Sequence, residues 1–166
     1  MIFIDSIEKK NNEYIQYIKE HIENVNRAFN EVVPKWKEKG MISDLEIEDL
    51  KERVSNHDKS KWSEEEFSAY RAYFYSVNEE EKTLSKNAFE EAWKHHYTVN
   101  DHHPEYWNLN PMSKLAILEM ILDWQGMRYK FGGGTAKNYY ENNKDEKQKE
   151  INNESIKILE EYLSVL

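Results

Sequence analysis

The sequence contains no cysteine among its 166 residues, and it has only five glycines and three prolines. Without thiols, neither a disulfide framework nor a thiolate zinc site can form. Glycine and proline mark most turns, so their scarcity indicates few breaks in the chain, and alternating strand patterns are nearly absent as well. These absences favour helices over a sheet-based fold.

Long hydrophobic runs and an excess of positive charge are also missing. No apolar stretch reaches the roughly 18 residues of a membrane span, and the amino-terminal segment turns polar too early for a signal peptide. The formal net charge of −9 disfavours binding along the phosphate backbone of a nucleic-acid polymer. We therefore expect a cytoplasmic protein that binds neither a membrane nor a nucleic-acid polymer.

The hydrophobic periodicity predicts an all-α protein, a single-domain bundle of about six helices. Domains commonly contain about 100–200 residues, so residues 1–166 are expected to form one domain, with its core over 6–131 and a capping helix over 146–165. The predicted helix starts are Asp5 or Ser6, Asp44, a Ser63–Glu66 capping box, Ser85, and Asn110 followed by Pro111, and the fifth helix stops before Gly132.

Two polar side chains interrupt otherwise apolar helix faces. His21 lies between Ile18 and Val25 at helical spacing, and Asp123 is embedded in the run AILEMILDW. A hydrogen-bonded core histidine is the simpler explanation for the first. A carboxylate in such surroundings needs a cation or a strong donor, and for Asp123 this is either a salt bridge to Lys or Arg or a metal ion.

The six histidines shift the balance towards a metal site, since all of them lie on predicted helix faces or in turns that can converge with two aspartates. Imidazole and carboxylate ligands together suit Mn, Fe, Co, Ni or Zn better than Ca. We expect one or two divalent transition-metal ions per chain, with Mg also possible. The histidines are His21, His57, His95, His96, His102 and His103.

The order of a histidine, an adjacent His-Asp pair and a distal aspartate resembles the HD-domain superfamily of metal-dependent phosphohydrolases. The resemblance is carried by His21, the HDKSK run at 57–61 and Asp123 within EMILDW. It implies an HD-domain-like helical bundle in which Lys61 lies near a substrate phosphate. It also implies that one metal ion is bound by His21, His57, Asp58 and Asp123.

The segment KHHYTVNDHHPEYW resembles the additional histidine positions of HD subclasses that hold two metals. This implies His96 and His103 as further ligands, with His95 and His102 as alternative ligands that are also substrate-binding candidates; in a turn, either or both of His102 and His103 could reach the site. Neighbours on a helix point about 100° apart, so His95 and His96 cannot easily share one ion, and the apolar stripe selects His96. NDHHPEYW, EMILDWQGM and KFG together also resemble a family of small uncharacterised bacterial and phage proteins.

The resemblance implies a phosphohydrolase that acts on a nucleotide or a similar small phosphate ester through a metal-activated water. Besides Asp58 and Lys61, Asp101 and Glu119 are candidate general acid–base groups, although Glu119 can instead orient a ligating histidine from one turn before Asp123.

Arg128 and Lys130 are more distant substrate-binding candidates, or simply the solvated end of a helix. The alternatives are a di-iron HD-type oxygenase and a non-catalytic interaction protein with a structural metal. The pattern leaves the oligomeric state open.

Overall fold

The computed structural model describes the backbone from Ile2 to Leu166 and the side chains from Ser6 onward. Within this range the chain is helical and forms no strand, which confirms the all-α prediction. A 3₁₀ helix at Lys59–Trp62 joins the second and third of the helices. These are α1 (Ile2–Glu38), α2 (Asp44–Ser55), α3 (Phe67–Phe74), α4 (Glu79–Val99), α5 (Pro104–Trp107), α6 (Lys114–Phe131), α7 (Ala136–Asn142), α8 (Lys144–Glu150) and α9 (Asn153–Leu163).

The helices form two compact units. The first combines the amino-terminal part of α1, up to Glu20, with Asp58–Asn100, and the second contains His21–His57 and Asp101–Leu166. The single domain over 1–166 therefore stays a prediction. None of the described helices is both long and apolar enough to cross a membrane.

Several predicted helix starts are wrong. Helix α2 begins at Asp44 as predicted, but α1 already runs from Ile2, ahead of Asp5 or Ser6, and the side chain of Asp5 lies outside the described residues. Helix α4 begins at Glu79, well before Ser85, because Asn78 caps it by accepting a hydrogen bond from the Glu81 N–H at 2.8 Å. Three glutamates in its first turn complement the helix dipole.

The predicted Ser63–Glu66 capping box is also wrong. Glu66 is the N-cap residue of α3, yet its side chain makes no cap hydrogen bond. The Glu66 carboxylate instead accepts hydrogen bonds from the rings of His95 and His96. A buried partner thus outweighs the local capping preference.

The carboxyl-terminal third contains more breaks than predicted. Helix α6 begins at Lys114 with Ser113 as its cap, rather than at Asn110 and Pro111, because the buried Met112 N–H donates to Ser155 Oγ at 2.8 Å outside any helix. It ends before Gly132, as predicted. Extended backbone at Ile151 splits the predicted capping helix over 146–165 into α8 and α9.

Helix α6 is the centre of the second unit, and its residues from Ala116 to Leu122 are buried. Each fully buried Leu, Ile or Met side chain stabilises the fold by about 1.5–3 kcal/mol relative to the exposed side chain. Helix α9 adds Leu159 and Leu163 to this core, and Trp36 of α1 donates from its indole Nε1 to the Tyr162 carbonyl at 3.1 Å.

Gly126 brings the backbones of α1 and α6 into contact. A Cβ atom at this position would lie 3.1 Å from Val25 N and 3.2 Å from Asn24 C, both backbone atoms of α1. Gly126 follows Asp123 by three residues, and Val25 follows His21 by four. The contact therefore lies one turn beyond a histidine on α1 and a carboxylate on α6.

The first unit has a core built from aromatic rings. Tyr14 is 1% exposed, and its ring centroid lies 5.1 Å from that of Phe67 and 6.5 Å from that of Tyr70. Phe89 of α4 meets Tyr70 edge to face at 5.4 Å. Aromatic packing thus compensates for the low aliphatic content of this unit.

A charged cap stabilises the start of α2. We therefore predict that this stabilisation is lost in acid. The Ser43 N–H donates to Glu46 Oε2 at 2.8 Å, and Lys114 Nζ donates to Glu46 Oε1 at 2.9 Å. The hydrogen bond from Ser43 and the one from Lys114 lower the pKa of Glu46 from 4.5 to about 2. Because the folded-state pKa is depressed, the stabilisation is complete above about pH 4.5 and is lost as the pH falls towards 2.

We expect Glu46→Gln to lower the free energy of unfolding by about 0.5–1 kcal/mol at pH 7, since the charge is lost while a capping oxygen remains. Urea denaturation of both proteins at pH 7 and pH 2.5 measures this, and the difference should shrink at the lower pH. Glu48→Gln on the exposed face of α2 is the control. An equal effect at both pH values would contradict the assignment.

Gly126→Ala should destabilise the second unit, although alanine favours helices by about 1 kcal/mol over glycine. The new methyl group would press on backbone atoms of α1, so the two helices must separate by a few tenths of an ångström. We expect a net loss of about 1–2 kcal/mol in the free energy of unfolding. Chemical denaturation checks it, and an unchanged or higher stability would show that the contact is not tight.

Candidate metal centre

Three side chains of the second unit present ligand atoms to one point. His21 Nε2 lies 3.2 Å from His57 Nε2 and 3.0 Å from Asp123 Oδ1, and His57 Nε2 lies 3.6 Å from the same oxygen. An ion bonded to each donor at about 2.1 Å would hold the donors about 3.0–3.4 Å apart. The spacing fits, and the three residues can hold a metal ion.

The helices of the second unit place these three donors. His21 lies in the apolar stripe of α1 and is 4% exposed, as is expected for a residue three after the buried Ile18. His57 follows α2, where its N–H donates to the Val54 carbonyl at 3.2 Å. Asp123 comes from the apolar α6, and the helix contact at Gly126 sets its distance to His21.

Glu119 orients two histidines at this site. Its Oε1 accepts a hydrogen bond from His57 Nδ1 at 2.8 Å and lies 3.2 Å from His102 Nδ1. An imidazole that donates from Nδ1 keeps the lone pair of Nε2 for a metal, and metal-ligating histidines typically have such a partner. The geometry thus favours the orienting role over the acid–base role for Glu119.

The carboxylates at this centre stay ionised despite their burial. Burial opposes the charge of Asp123, but its interactions with the imidazoles of His21 and His57 outweigh this cost, so its pKa falls well below the usual range. The pKa of Glu119 is likewise lowered, because hydrogen bonds from His102 and His57 exceed the cost of burial. Deprotonated carboxylates are the form that binds metal.

His102 lies beside Asp123. His102 Nε2 is 3.6 Å from Asp123 Oδ2, the carboxylate oxygen that does not face His21. His103 has the extended backbone predicted for a residue before proline, with φ −92° and ψ 131°, and its ring packs 4.3 Å from that of His102. The substrate role of His102 and the ligand role of His103 stay predictions.

Arg53 is a site residue that the sequence analysis missed. Its Nε donates to Glu119 Oε2 at 2.9 Å, and its Nη2 pairs with Asp101, the predicted acid–base group. Arg53 lies on α2, four residues before His57, and this spacing is the signal that could have identified it. With Asp101 engaged in this ion pair, its catalytic role stays a prediction.

The first unit contains a second buried polar cluster. Asp58 Oδ2 pairs with Lys61 Nζ at 2.8 Å, while Asp58 Oδ1 lies 3.3 Å from His96 Nε2. Glu66, which is fully buried, lies 2.8 Å from His96 Nδ1 through one oxygen and 2.7 Å from His95 Nδ1 through the other. Glu66 therefore holds two histidines in the same way as Glu119 does in the second unit.

These contacts fix the charges of the first unit. Burial lowers the pKa of Lys61, but the nearby Asp58 carboxylate outweighs it and raises this pKa above its ordinary value. Burial also opposes protonation of His96, yet its hydrogen bonds to Asp58 and Glu66 raise its pKa. The ligand roles of Asp58 and His96 and the substrate roles of Lys61 and His95 stay predictions.

Asp58 has an unusual backbone conformation. Its φ of 53° and ψ of 24° lie in the left-handed region, and the residue precedes the 3₁₀ helix. Among non-glycine residues, Asp and Asn tolerate this region best.

Arg128 and Lys130 lie in the last turn of α6, after Asp123. Positive charges at a helix C-terminus are stabilised by the helix dipole, and the Arg128 guanidinium also lies 5.1 Å from the centre of the Tyr139 ring. The substrate-binding role of Arg128 and Lys130 stays a prediction.

Asp123→Asn should remove most of the bound metal, because a neutral amide is a much weaker ligand than a carboxylate of similar shape. Elemental analysis of both proteins after dialysis against Mn²⁺, Co²⁺ or Zn²⁺ measures this. Asp44→Asn, which replaces an exposed carboxylate on α2, serves as the control. Equal metal content in wild type and Asp123→Asn would refute the role of Asp123 as a ligand.

No curated protein and no solved structure matches this chain significantly. A family model does match, over residues 10–165, and so covers nearly the whole chain. The protein therefore belongs to the family of unknown function DUF5662.

Proposed function

We propose that this protein is a metal-dependent phosphohydrolase that acts on a small phosphate ester such as a nucleotide. The observation that carries the proposal is the triangle of His21 Nε2, His57 Nε2 and Asp123 Oδ1, with edges of 3.0–3.6 Å. In this proposal the three side chains hold a divalent ion of the Mn, Fe, Co, Ni or Zn class, which mixed imidazole and carboxylate ligands suit.

A bound ion of this class supplies two kinds of chemistry, since it lowers the pKa of a water towards neutrality and polarises a phosphoryl oxygen. The residues of the chain hold the ion and orient its ligands. Glu119 fixes the rings of His57 and His102 through their Nδ1 atoms, so that both Nε2 atoms lie towards the Asp123 carboxylate. Such preorganisation keeps the donors in place without a further entropic cost at binding.

Exposure at Asp123 supports a catalytic centre over a purely structural one. The Asp123 side chain keeps 15% of its surface exposed, whereas those of His21 and His57 are 5% and 0% exposed. A structural site closes its coordination shell, while a catalytic site keeps a position for water or substrate. The exposed part of Asp123 therefore supports a catalytic metal site, such as that of the proposed phosphohydrolase, over a metal-stabilised interaction protein.

Phosphate as the reacting group is supported by the resemblance to the HD-domain superfamily. The predicted phosphate contact, Lys61, is half-buried and forms an ion pair with Asp58 at 2.8 Å. Contact between Lys61 and a phosphate would require this ion pair to open or to share its charge. We infer that the ion held by His21, His57 and Asp123 neutralises the phosphate.

The proposal predicts hydrolysis that depends on added metal. The chain is stripped with a chelator, reloaded separately with Mn²⁺, Co²⁺, Ni²⁺, Zn²⁺ or Mg²⁺, and assayed on nucleoside monophosphates, cyclic nucleotides and p-nitrophenyl phosphate esters. His21→Ala and Asp123→Asn should each lower kcat/KM by more than about 100-fold, beyond the usual effect of residues outside the ligand shell. Lys114→Met, which removes an ion pair with Glu46, should leave kcat/KM unchanged.

Absence of turnover in a preparation that holds metal would exclude the phosphohydrolase but not the metal site. Two iron ions per chain with visible absorption bands, and no hydrolysis, would favour the di-iron oxygenase alternative. A single ion whose removal lowers stability alone would favour the interaction protein.

A further inference from the structure

Arg53 connects three parts of the second unit. It lies in the last turn of α2, its Nε donates to Glu119 Oε2 on α6 at 2.9 Å, and its Nη2 pairs with Asp101 in the turn before α5. The guanidinium is planar, so these two N–H groups point in fixed directions. One side chain thus sets the positions of two carboxylates.

The carboxylate of Glu119 divides its two oxygens between different partners. Oε2 faces Arg53, and Oε1 faces His57 Nδ1 at 2.8 Å and His102 Nδ1 at 3.2 Å. Without a partner on Oε2, the carboxylate can rotate about its Cγ–Cδ bond, and Oε1 no longer has a fixed position. The rings of His57 and His102 then lose the fixed acceptor that sets their orientation.

The ion pair between Arg53 and Asp101 also affects His102, because it holds the residue that precedes this histidine in the chain. Asp101 directly precedes His102, and the Asp101 carbonyl accepts a hydrogen bond from the Trp107 indole Nε1 at 2.6 Å. Arg53 and Trp107 therefore anchor the residue before His102 through its side chain and its backbone. The ring of His102 lies 4.5 Å from that of His57, so a shift of this turn would move one ring against the other.

We propose that Arg53 is a positioning residue of the metal centre, which orients His57 and His102 through Glu119 and Asp101. The inference rests on the proposed metal site and assigns Asp101 a role in holding Arg53 rather than in proton transfer. Removal of the guanidinium weakens metal binding and changes the ligand geometry, although Arg53 itself contacts no ion in this scheme.

The chain offers a matched control in Lys114. Lys114 of α6 pairs with Glu46 of α2 at 2.9 Å, so this ion pair joins the same two helices as the pair between Arg53 and Glu119. This second bridge lies at the start of both helices, and its other described contacts are with Ser43, the Met41 carbonyl and the Tyr162 ring. Loss of either pair removes one α2–α6 bridge, but only loss of Arg53 disturbs Glu119.

The experiment uses Co²⁺ as the probe, because its visible absorption spectrum reports the number and arrangement of the ligands. Wild type, Arg53→Met, Arg53→Lys, Asp101→Asn and Lys114→Met are titrated with Co²⁺, and unfolding of each metal-free protein is followed in parallel. We expect Arg53→Met to bind Co²⁺ about 10–100-fold more weakly with an altered spectrum, the usual effect of losing an outer-shell partner. Lys114→Met should retain both the affinity and the spectrum of wild type.

The Arg53→Lys variant tests whether a positive charge is sufficient without the planar guanidinium. A lysine retains the positive charge between the two carboxylates, but its ammonium lacks the planar fork. We expect near-wild-type stability with weakened Co²⁺ binding, which a merely structural role of Arg53 would not produce. This variant also keeps the proposal testable if Arg53→Met does not fold.

Wild-type affinity and spectrum in Arg53→Lys and in folded Arg53→Met would overturn the proposal. It would also be overturned if Lys114→Met weakened Co²⁺ binding equally, or if the wild type bound no Co²⁺. The Co²⁺ titration tests the role of Arg53 without any measurement of catalysis. A wild type that binds Co²⁺ but hydrolyses no ester contradicts the phosphohydrolase, and the role of Arg53 is then still judged from the Co²⁺ affinities.

Discussion

Helices α1 and α6 meet backbone to backbone at Gly126, because this residue has no side chain to hold them apart. The donors His21 and Asp123 lie one turn before this contact on the two helices, at 3.0 Å from each other. A larger residue at 126 would press on the α1 backbone and shift His21 relative to Asp123. The geometry of the candidate metal centre is therefore a consequence of helix packing.

Both units solve the problem of buried charge in the same way. Glu66 in the first unit and Glu119 in the second are each almost fully buried, and each holds two histidines through their Nδ1 atoms. A buried carboxylate without partners would be strongly destabilising, whereas one with several donors keeps its charge and fixes the rings. The histidines thereby act both as partners of the carboxylate and as oriented donors at Nε2.

The sequence predicted those features that depend on local pattern. Apolar periodicity identified the helices and the unusual burial of His21 and Asp123, because a polar residue on a core face stands out at helical spacing. Glu66 and Arg53 were missed, since each has an ordinary local explanation, as a cap or as a surface charge, and their partners lie 30 and 66 residues away. The start of α6 was wrong for the same reason, as the distant Ser155 side chain holds Met112 out of the helix.

The left-handed backbone of Asp58 restricts which residues can occupy this position. Two independent requirements restrict the residue type at position 58. The conformation admits Gly, Asn and Asp with little strain, while the predicted ligand role demands a carboxylate, so Asp is the one standard residue that passes both. Glutamate has the charge but not the backbone preference. If Asp58 has its predicted ligand role, relatives that bind no metal are expected to carry Asn or Gly at this position, so the identity of one residue would distinguish them.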